Sequence, residues 1–397
     1  MTKPLSGIRV LDLTNVLAGP FCCHQLAHFG AEVIKVEAPG RGDLARQLGA
    51  DPELNKQGMG VSFLAQNAGK KSVTLNLKSE EGKDLLKRLV QTADVLVENF
   101  RPGVMARLKL DYETLKESNP ELIYCAISGF GQDGPWVDRP AYDQIIQGTS
   151  GVMSITGDAG SAPLRVGYPL ADTMGGMTAA FAISAALNAK PRGTFIDVSM
   201  LESVIASMGW AVSNHLIAGQ DPAPRGNENW TSAPSGAFDT AEGVLNIAAN
   251  KDEQWVLLTG LLGLEHLRDD PDYATREDRK RNRFALKAAL ETVLKTQTAQ
   301  HWSDALNKIG VPAGVVLSVP DVLNAPQIAE RGFLASFENV PGVGRDIQTV
   351  TTGAKLDGAP PTVATPPPEL GQENDAIWGS LGLSLTEIET LKQEGVI

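Results

Sequence analysis

The chain has 397 residues, with 35 Lys and Arg against 47 Asp and Glu, a formal net charge of −12. That balance argues against a broad basic surface for nucleic acid or an anionic membrane, while leaving room for a local cationic pocket. Apolar residues at 42% and charged residues at 21% are ordinary for a folded chain, and the length suits about two or three domains whose core needs no disulfide or metal staple.

In chain order, residues 8–13 read as a buried strand, 21–29 as a helix stopped by Gly30, and 32–37 as a second strand. Residues 79–92 predict a helix: Ser79 can cap it, Glu80 and Glu81 suit its first turn, and Leu85, Leu86, Leu89 and Val90 form one apolar stripe. Strands follow at 95–97 and 122–128, separated by a short helix at 111–118 with Asp111 as its cap. Strands alternating with helices of this length imply parallel βαβ units with helices on both faces, hence an α/β fold. Ligands of such sheets collect beyond the carboxyl ends of the strands. Those ends carry Asn15–Pro20, Glu37, residues 99–103 and residues 128–131.

Further along, 173–189 predicts a closely packed helix rich in Gly and Ala, 196–198 a strand, and 201–219 a single apolar helix. A second region starts near Pro222, with a hairpin over 236–249 turning at Glu242-Gly243 and helices through Ile309. The charged run 276–283 mixes signs and reads as a solvated helix face. Strand-like segments return near residue 330, the proline-rich stretch 359–368 reads as extended, and Ser384 to Glu387 form a capping box for a last helix.

Several common chemistries are absent. No G-x-G-x-x-G follows the first strand, whose loop holds only Gly19, so Glu37 reads as a strand-end charge in solvent and not as a ribose ligand. There is neither a P-loop nor a Gly-x-Ser-x-Gly elbow. The histidines are His24, His28, His215, His266 and His301; none lies between 29 and 214, which disfavours a Ser/His triad or a His-rich metal site. His24 and His28 share a helix face and read as ordinary helix residues, so no metal is expected. Cys22, Cys23 and Cys125 form no C-x-x-C and leave an odd thiol, so no disulfide framework is expected. The N-terminus lacks the apolar stretch of a signal peptide, and no run approaches ~18 apolar residues. The expected location is the cytoplasm.

What remains is carboxylate chemistry. Asp172 precedes a small-residue helix and reads as its N-cap. It is also a candidate nucleophile, with Gly175 and Gly176 leaving a bulky ligand close access.

At this point the chain resembles the family III CoA-transferases. The resemblance rests on six motifs in order: Leu11-Asp12-Leu13-Thr14 with Ala18-Gly19-Pro20, the run 30–37, Asn67 to Ser72, Asp94 to Gly103, Ser128 to Pro135, and Ala171-Asp172. The resemblance implies that Asp172 is the nucleophilic aspartate. It implies that Asn15, Val16, Leu17 and Ala18 border CoA and the acyl site. Leu75 and Lys78 would contact the adenosine and phosphates, and Asn99, Phe100, Arg101, Arg107, Arg139 and Tyr142 would line the rest of the CoA path. It further implies a Rossmann-like large α/β domain from 1–220 with 330–397, a smaller α+β domain at 225–325, and an interlocked, ring-like homodimer. CoA enters as a co-substrate, with no permanently bound cofactor.

The implied activity is CoA transfer from an acyl-CoA such as succinyl-CoA to a free carboxylic acid through an aspartyl anhydride and an aspartyl-CoA thioester. Leu17 replaces a glutamine of the formyl-CoA enzymes and Ala38 an adenine-side arginine, so the pattern is closer to members that act on dicarboxylates. Arg139, Arg165 or Arg225 would pair with a distal carboxylate. The alternatives are a 2-methylacyl-CoA racemase, which would need a histidine where Tyr142 stands, and a non-catalytic CoA-binding protein.

Overall fold

The computed structural model describes residues 3–397. Residues 3–152, 165–221 and 326–397 form one compact unit, and residues 153–164 with 222–325 form another. The first unit is built on six parallel strands: β1 (Arg9–Asp12), β2 (Glu32–Glu37), β3 (Lys70–Thr74), β4 (Val95–Glu98), β5 (Ile123–Ser128) and β6 (Thr194–Ser199), in the order β3-β2-β1-β4-β5-β6. Leu11 at the centre sits opposite Ile34 on one side and Leu96 on the other. The central strands β4 and β5 read as near-continuous apolar runs because helices cover both faces of a parallel sheet, whereas β3 reads Lys-Lys-Ser-Val-Thr. The edge strand β6 instead alternates between covered and exposed residues at its start.

The predicted helix near 80 spans Glu80–Val90 and buries Leu85, Leu86, Leu89 and Val90, with the Ser79 hydroxyl accepting from the Gly82 N–H. Each fully buried leucine of that stripe contributes about 1.5–3 kcal/mol. The last helices close the same face: Trp378, Ile388 and the C-terminal Val396 and Ile397 pack into the core with Leu11, Leu86 and Leu96. Ser384 and Glu387 form the expected capping box.

Three helices of this unit position the site: α1 (Ala18–His28), α2 (Asp143–Thr149) and α3 (Leu170–Ala186). The expected single helix over 201–219 is two, α4 (Met200–Ser207) and α5 (Trp210–Ala218). The break falls at Gly209, whose φ of +46° takes the backbone out of the right-handed helical region.

The second unit carries an antiparallel sheet of Ser235–Asp239, Val244–Ala248 and Ala313–Val315, the first two joined by the expected turn at Gly243 (φ +83°). Its core holds Phe238, Trp255, Leu258, Leu290, Trp302 and Leu306. Residues 153–164, expected in the large domain, join this unit, where the Gly226 N–H donates to Gly157 O at 2.7 Å. The charged run 276–283 is not wholly solvated. Arg279 is buried, stacked 5.3 Å from the Trp255 ring centroid and paired with Asp252, and Arg283 is buried with its guanidinium donating to the Lys280 and Asn229 carbonyls.

Candidate active site

The strand order reverses between β1 and β4: the chain leaves β1 toward β2 on one side and returns on the other. A crevice opens at such a switch point, between the loops that follow the two strands. Here Asn15 and Asn99 clamp them together. The Asn15 N–H donates to Asn99 Oδ1 and Asn99 Nδ2 donates to Asn15 O, both at 2.8 Å. Val16 sits at φ +67°, a conformation that costs a β-branched residue about 1–3 kcal/mol. Its N–H is held by Asp43 Oδ1 at 2.9 Å.

Asp43 belongs to a charged network beneath that loop. Lys35 Nζ lies 2.9 Å from Asp43 Oδ2 and donates to Thr14 O at 2.8 Å, and Lys70 Nζ donates to Asp12 Oδ2 at 2.8 Å. All four charged side chains are fully enclosed. Burial alone would raise the Asp12 carboxyl; Lys35 and Lys70 outweigh it and hold it at about 2. Glu37, expected in solvent, is buried and accepts from both Nε and Nη2 of Arg46 at 2.7 Å, whose guanidinium stacks 3.7 Å from the Phe63 ring centroid. A charge at a strand end in this sheet needs a partner once helices cover it, and Arg46 supplies it. Lys35, inside a strand that otherwise reads as buried, was the signal for this network.

β1–α1–β2 and β5–α3–β6 both return the chain to a parallel neighbour, so α1 and α3 both start at the carboxyl rim of the sheet. They pack closely, since a Cβ on Gly176 would meet Ala18 O at 2.4 Å and one on Gly175 would meet the Met200 side chain at 2.9 Å. The glycines therefore admit neighbouring helices, not a ligand, which corrects the sequence expectation. Asp172 lies one turn before Gly176 on the same face, at the start of α3 on that rim.

Asp172 is not the N-cap. The helix starts at Leu170, Asp172 lies in its first turn, and its side chain makes no capping bond. Asp143 on α2 does that work from outside: its Oδ1 accepts from the Ala171 N–H at 2.7 Å and lies 3.5 Å from the Asp172 nitrogen. Gln147 Nε2 holds the other Asp143 oxygen at 2.7 Å. With its helix amides served by a neighbour, the Asp172 carboxyl is pushed up to about 7, first by burial and then by the Asp143 charge. Glu98, beneath the β4 loop, is likewise pushed up to about 7 by burial, against the Phe100 N–H and Tyr124 hydroxyl that hydrogen-bond it. Glu98 carried no signal in the sequence beyond lying in a motif, and Asp143 lay outside all six.

The expected contact residues distribute along this rim. Asn15, Val16 and Leu17 are half-buried on the β1 loop, while Ala18 is buried as the first residue of α1. Asn99 and Phe100 are half-buried after β4, and Arg101 and Arg107 are exposed beside them. Lys78 is exposed beyond β3. Leu75 is different: its side chain is sealed into the main core, so an adenosine contact through it would require opening that core. Arg139 is exposed and stacks 4.6 Å from the Trp136 ring centroid. Tyr142, just before α2, is 70% exposed and caps nothing with its side chain. His24 and His28 are buried side by side on α1, and burial lowers both imidazoles toward the neutral form. Among the described residues no helix is long and apolar enough to cross a membrane.

The arrangement is a half-buried, proton-hungry carboxyl in the first turn of α3, at the carboxyl rim of the sheet. The family model described as CoA-transferase family III matches residues 5–374. A succinate–glutarate CoA-transferase of Agrobacterium fabrum is 37% identical over 98% of this chain and 97% of its own. An acetyl-CoA:oxalate CoA-transferase of Acetobacter aceti is 41% identical over 87% of this chain and 89% of its own. A crystal structure of a CaiB/BaiF family protein from Brucella suis superimposes with a TM-score of 0.82 at 35% identity, covering 96% of this chain and all of that one. The chain belongs to the family III CoA-transferases.

Proposed function

We propose that the protein moves CoA from an acyl-CoA to a dicarboxylic acid, with Asp172 as the covalent nucleophile and CoA as a co-substrate. The observation that carries this is the Asp172 carboxyl at the crevice rim, raised to about 7 and freed from capping by Asp143. A carboxylate so raised is a stronger nucleophile and is still half ionised near neutrality. Dicarboxylates are supported by the relatives named for glutarate and oxalate transfer.

In the first step an Asp172 oxygen attacks the donor thioester carbonyl. The C–S bond breaks and leaves CoA thiolate and a mixed anhydride. The thiolate attacks the aspartyl carbonyl and expels the donor acid, leaving aspartyl-CoA thioester. The acceptor carboxylate displaces the thiolate to give a second anhydride, and the thiolate then attacks the acceptor carbonyl and restores the Asp172 carboxylate. The clamped loops 13–17 and 99–103 hold the crevice in shape. Asn15 to Ala18, Lys78, Asn99, Phe100, Arg101, Arg107, Arg139 and Tyr142 are proposed to line the CoA path. The exposed Lys78, Arg101 and Arg107 supply positive charge for its phosphates within an acidic protein. The protein is proposed to work in the cytoplasm.

The test is isotopic. With both acceptor carboxylate oxygens labelled as 18O, the sequence leaves one 18O in the new thioester and one on Asp172, read in the peptide containing that residue. Transfer without label on Asp172 overturns the mechanism. Deuterium uptake into 2-methylacyl-CoA in D2O, with no new thioester, would make the protein a racemase instead.

A further inference from the structure

We propose that Arg165 binds the distal carboxylate of the acceptor and so makes the site select dicarboxylates over monocarboxylates; this rests on Asp172 being the nucleophile. Arg165 opens the segment that leads into α3, and its backbone is pinned there. The Val166 N–H donates to Gln147 Oε1 at 2.8 Å, and Gln147, itself fully buried, also donates to Asp143 Oδ2 and to Tyr168 O. The Arg165 side chain is 50% exposed, with Nη2 3.8 Å from Asp143 Oδ2. That distance is too long for a hydrogen bond, and the oxygen already accepts from Gln147. Among the described residues the guanidinium donates no hydrogen bond. A rigid base therefore presents a planar donor fork that is only loosely engaged.

The charge balance calls for it. Asp143 lies beside the start of α3, with its Oδ1 on the Ala171 N–H, and its charge adds to burial in raising Asp172. A dianionic acceptor must bring its reacting end to Asp172 against that field. Its far end needs a cation, and Arg165 stands 3.8 Å from Asp143, whose other oxygen holds the Ala171 N–H next to Asp172. A guanidinium takes a carboxylate with two parallel hydrogen bonds, stronger than its present contact with Asp143. Arg139 is committed to stacking on Trp136, and Arg225 stacks 4.1 Å from the Trp230 ring centroid in the second unit.

The experiment compares glutarate with butyrate as acceptors in the wild type, Arg165→Met and Arg165→Lys, all with succinyl-CoA as donor. Because the two acceptors share one donor, any effect on the donor cancels in the ratio of their kcat/KM values. The ratio of glutarate to butyrate is expected to fall about 30- to 100-fold in Arg165→Met, chiefly through KM for glutarate, and to be partly restored in Arg165→Lys. An unmoved ratio overturns the proposal. So does an equal loss for both acceptors, which would make Arg165 only a clamp on Asp143. The 18O experiment on the wild type separates the two assignments. Transfer with no label on Asp172 overturns the nucleophile and this proposal together; label on Asp172 with an unmoved ratio overturns this proposal alone.

Discussion

Asp172 combines two demands that conflict in water: it must be ionised to attack, yet basic enough to attack well. Burial and Asp143 set the compromise near 7. kcat/KM is therefore expected to rise with pH through about 7 in the substrate-free protein. Asp143→Asn keeps an oxygen for the Ala171 N–H but removes the charge. The limb should then move to lower pH without reaching the ordinary carboxylate value, because burial, the larger cause, remains. A limb that stays in place would assign the shift to burial alone. Asp172→Asn should abolish transfer and leave the fold intact. A carboxyl raised in the folded state favours folding below its unfolded pKa, and this contribution is lost as pH rises through about 7. Asp172→Asn should thus unfold at higher denaturant than wild type at pH 8, by roughly 1–3 kcal/mol, and match it near pH 4.

Elements meet at this site with little tolerance. Gly176→Ala would gain about 1 kcal/mol of helix propensity, but its Cβ would stand 2.4 Å from the Ala18 carbonyl, a backbone atom that cannot swing aside. The overlap costs about 1–3 kcal/mol and wins. Gly379→Ala, in the helix Asn374–Ser380 with nothing within 4 Å of its Cβ, is the contrasting case and should stabilise by about 0.5–1 kcal/mol. Thermal melts of the two variants should shift in opposite directions, and Gly176→Ala alone should lose transfer rate as α1 and α3 part. Under the first loop, Lys35→Met strands the Asp43 charge inside the protein, while Asp12 keeps Lys70. It is expected to destabilise by about 3–5 kcal/mol, read in urea at pH 7. Asp12 is held low in the folded state, so its contribution is present above the unfolded carboxylate pKa and fades as pH falls from about 4 toward 2. Acid unfolding of the wild type should steepen in that window.

At the scale of the whole molecule, helix α5 stands out. It buries none of its residues, and Trp210, Leu216 and Ile217 are 72%, 74% and 86% exposed. A helix this apolar needs a cover, and we propose a second copy of the chain, in line with the interlocked homodimer expected from the family resemblance. Light scattering should give twice the chain mass for wild type. Trp210→Glu should shift the population toward monomer, and a monomeric wild type would remove the dimer from this account.

Most strands, the caps at Ser79, Asp111 and Ser384, and the Gly243 turn were legible in the sequence because each depends on residues within a few positions of one another; β3 was not. The parallel sheet was legible from its central strands: strands covered on both faces are apolar, as β4 and β5 nearly are, whereas β3 reads Lys-Lys-Ser-Val-Thr. Asp172 stood out only through its motif, since spacing alone made it a cap. The rest depended on neighbours distant in sequence. Asp143 reaches the α3 amides from 28 positions away and turns the apparent cap into a raised acid. Arg46 and Ser72 take Glu37 out of solvent. The start of α1 fills the space that Gly176 leaves, and Leu75 disappears into the core. Local propensity and hydrophobic period determined which elements form. Strand order and the packing of α1 and α2 against α3 decided which side chains meet, because burial and charge pairing act across space and leave no period in the chain.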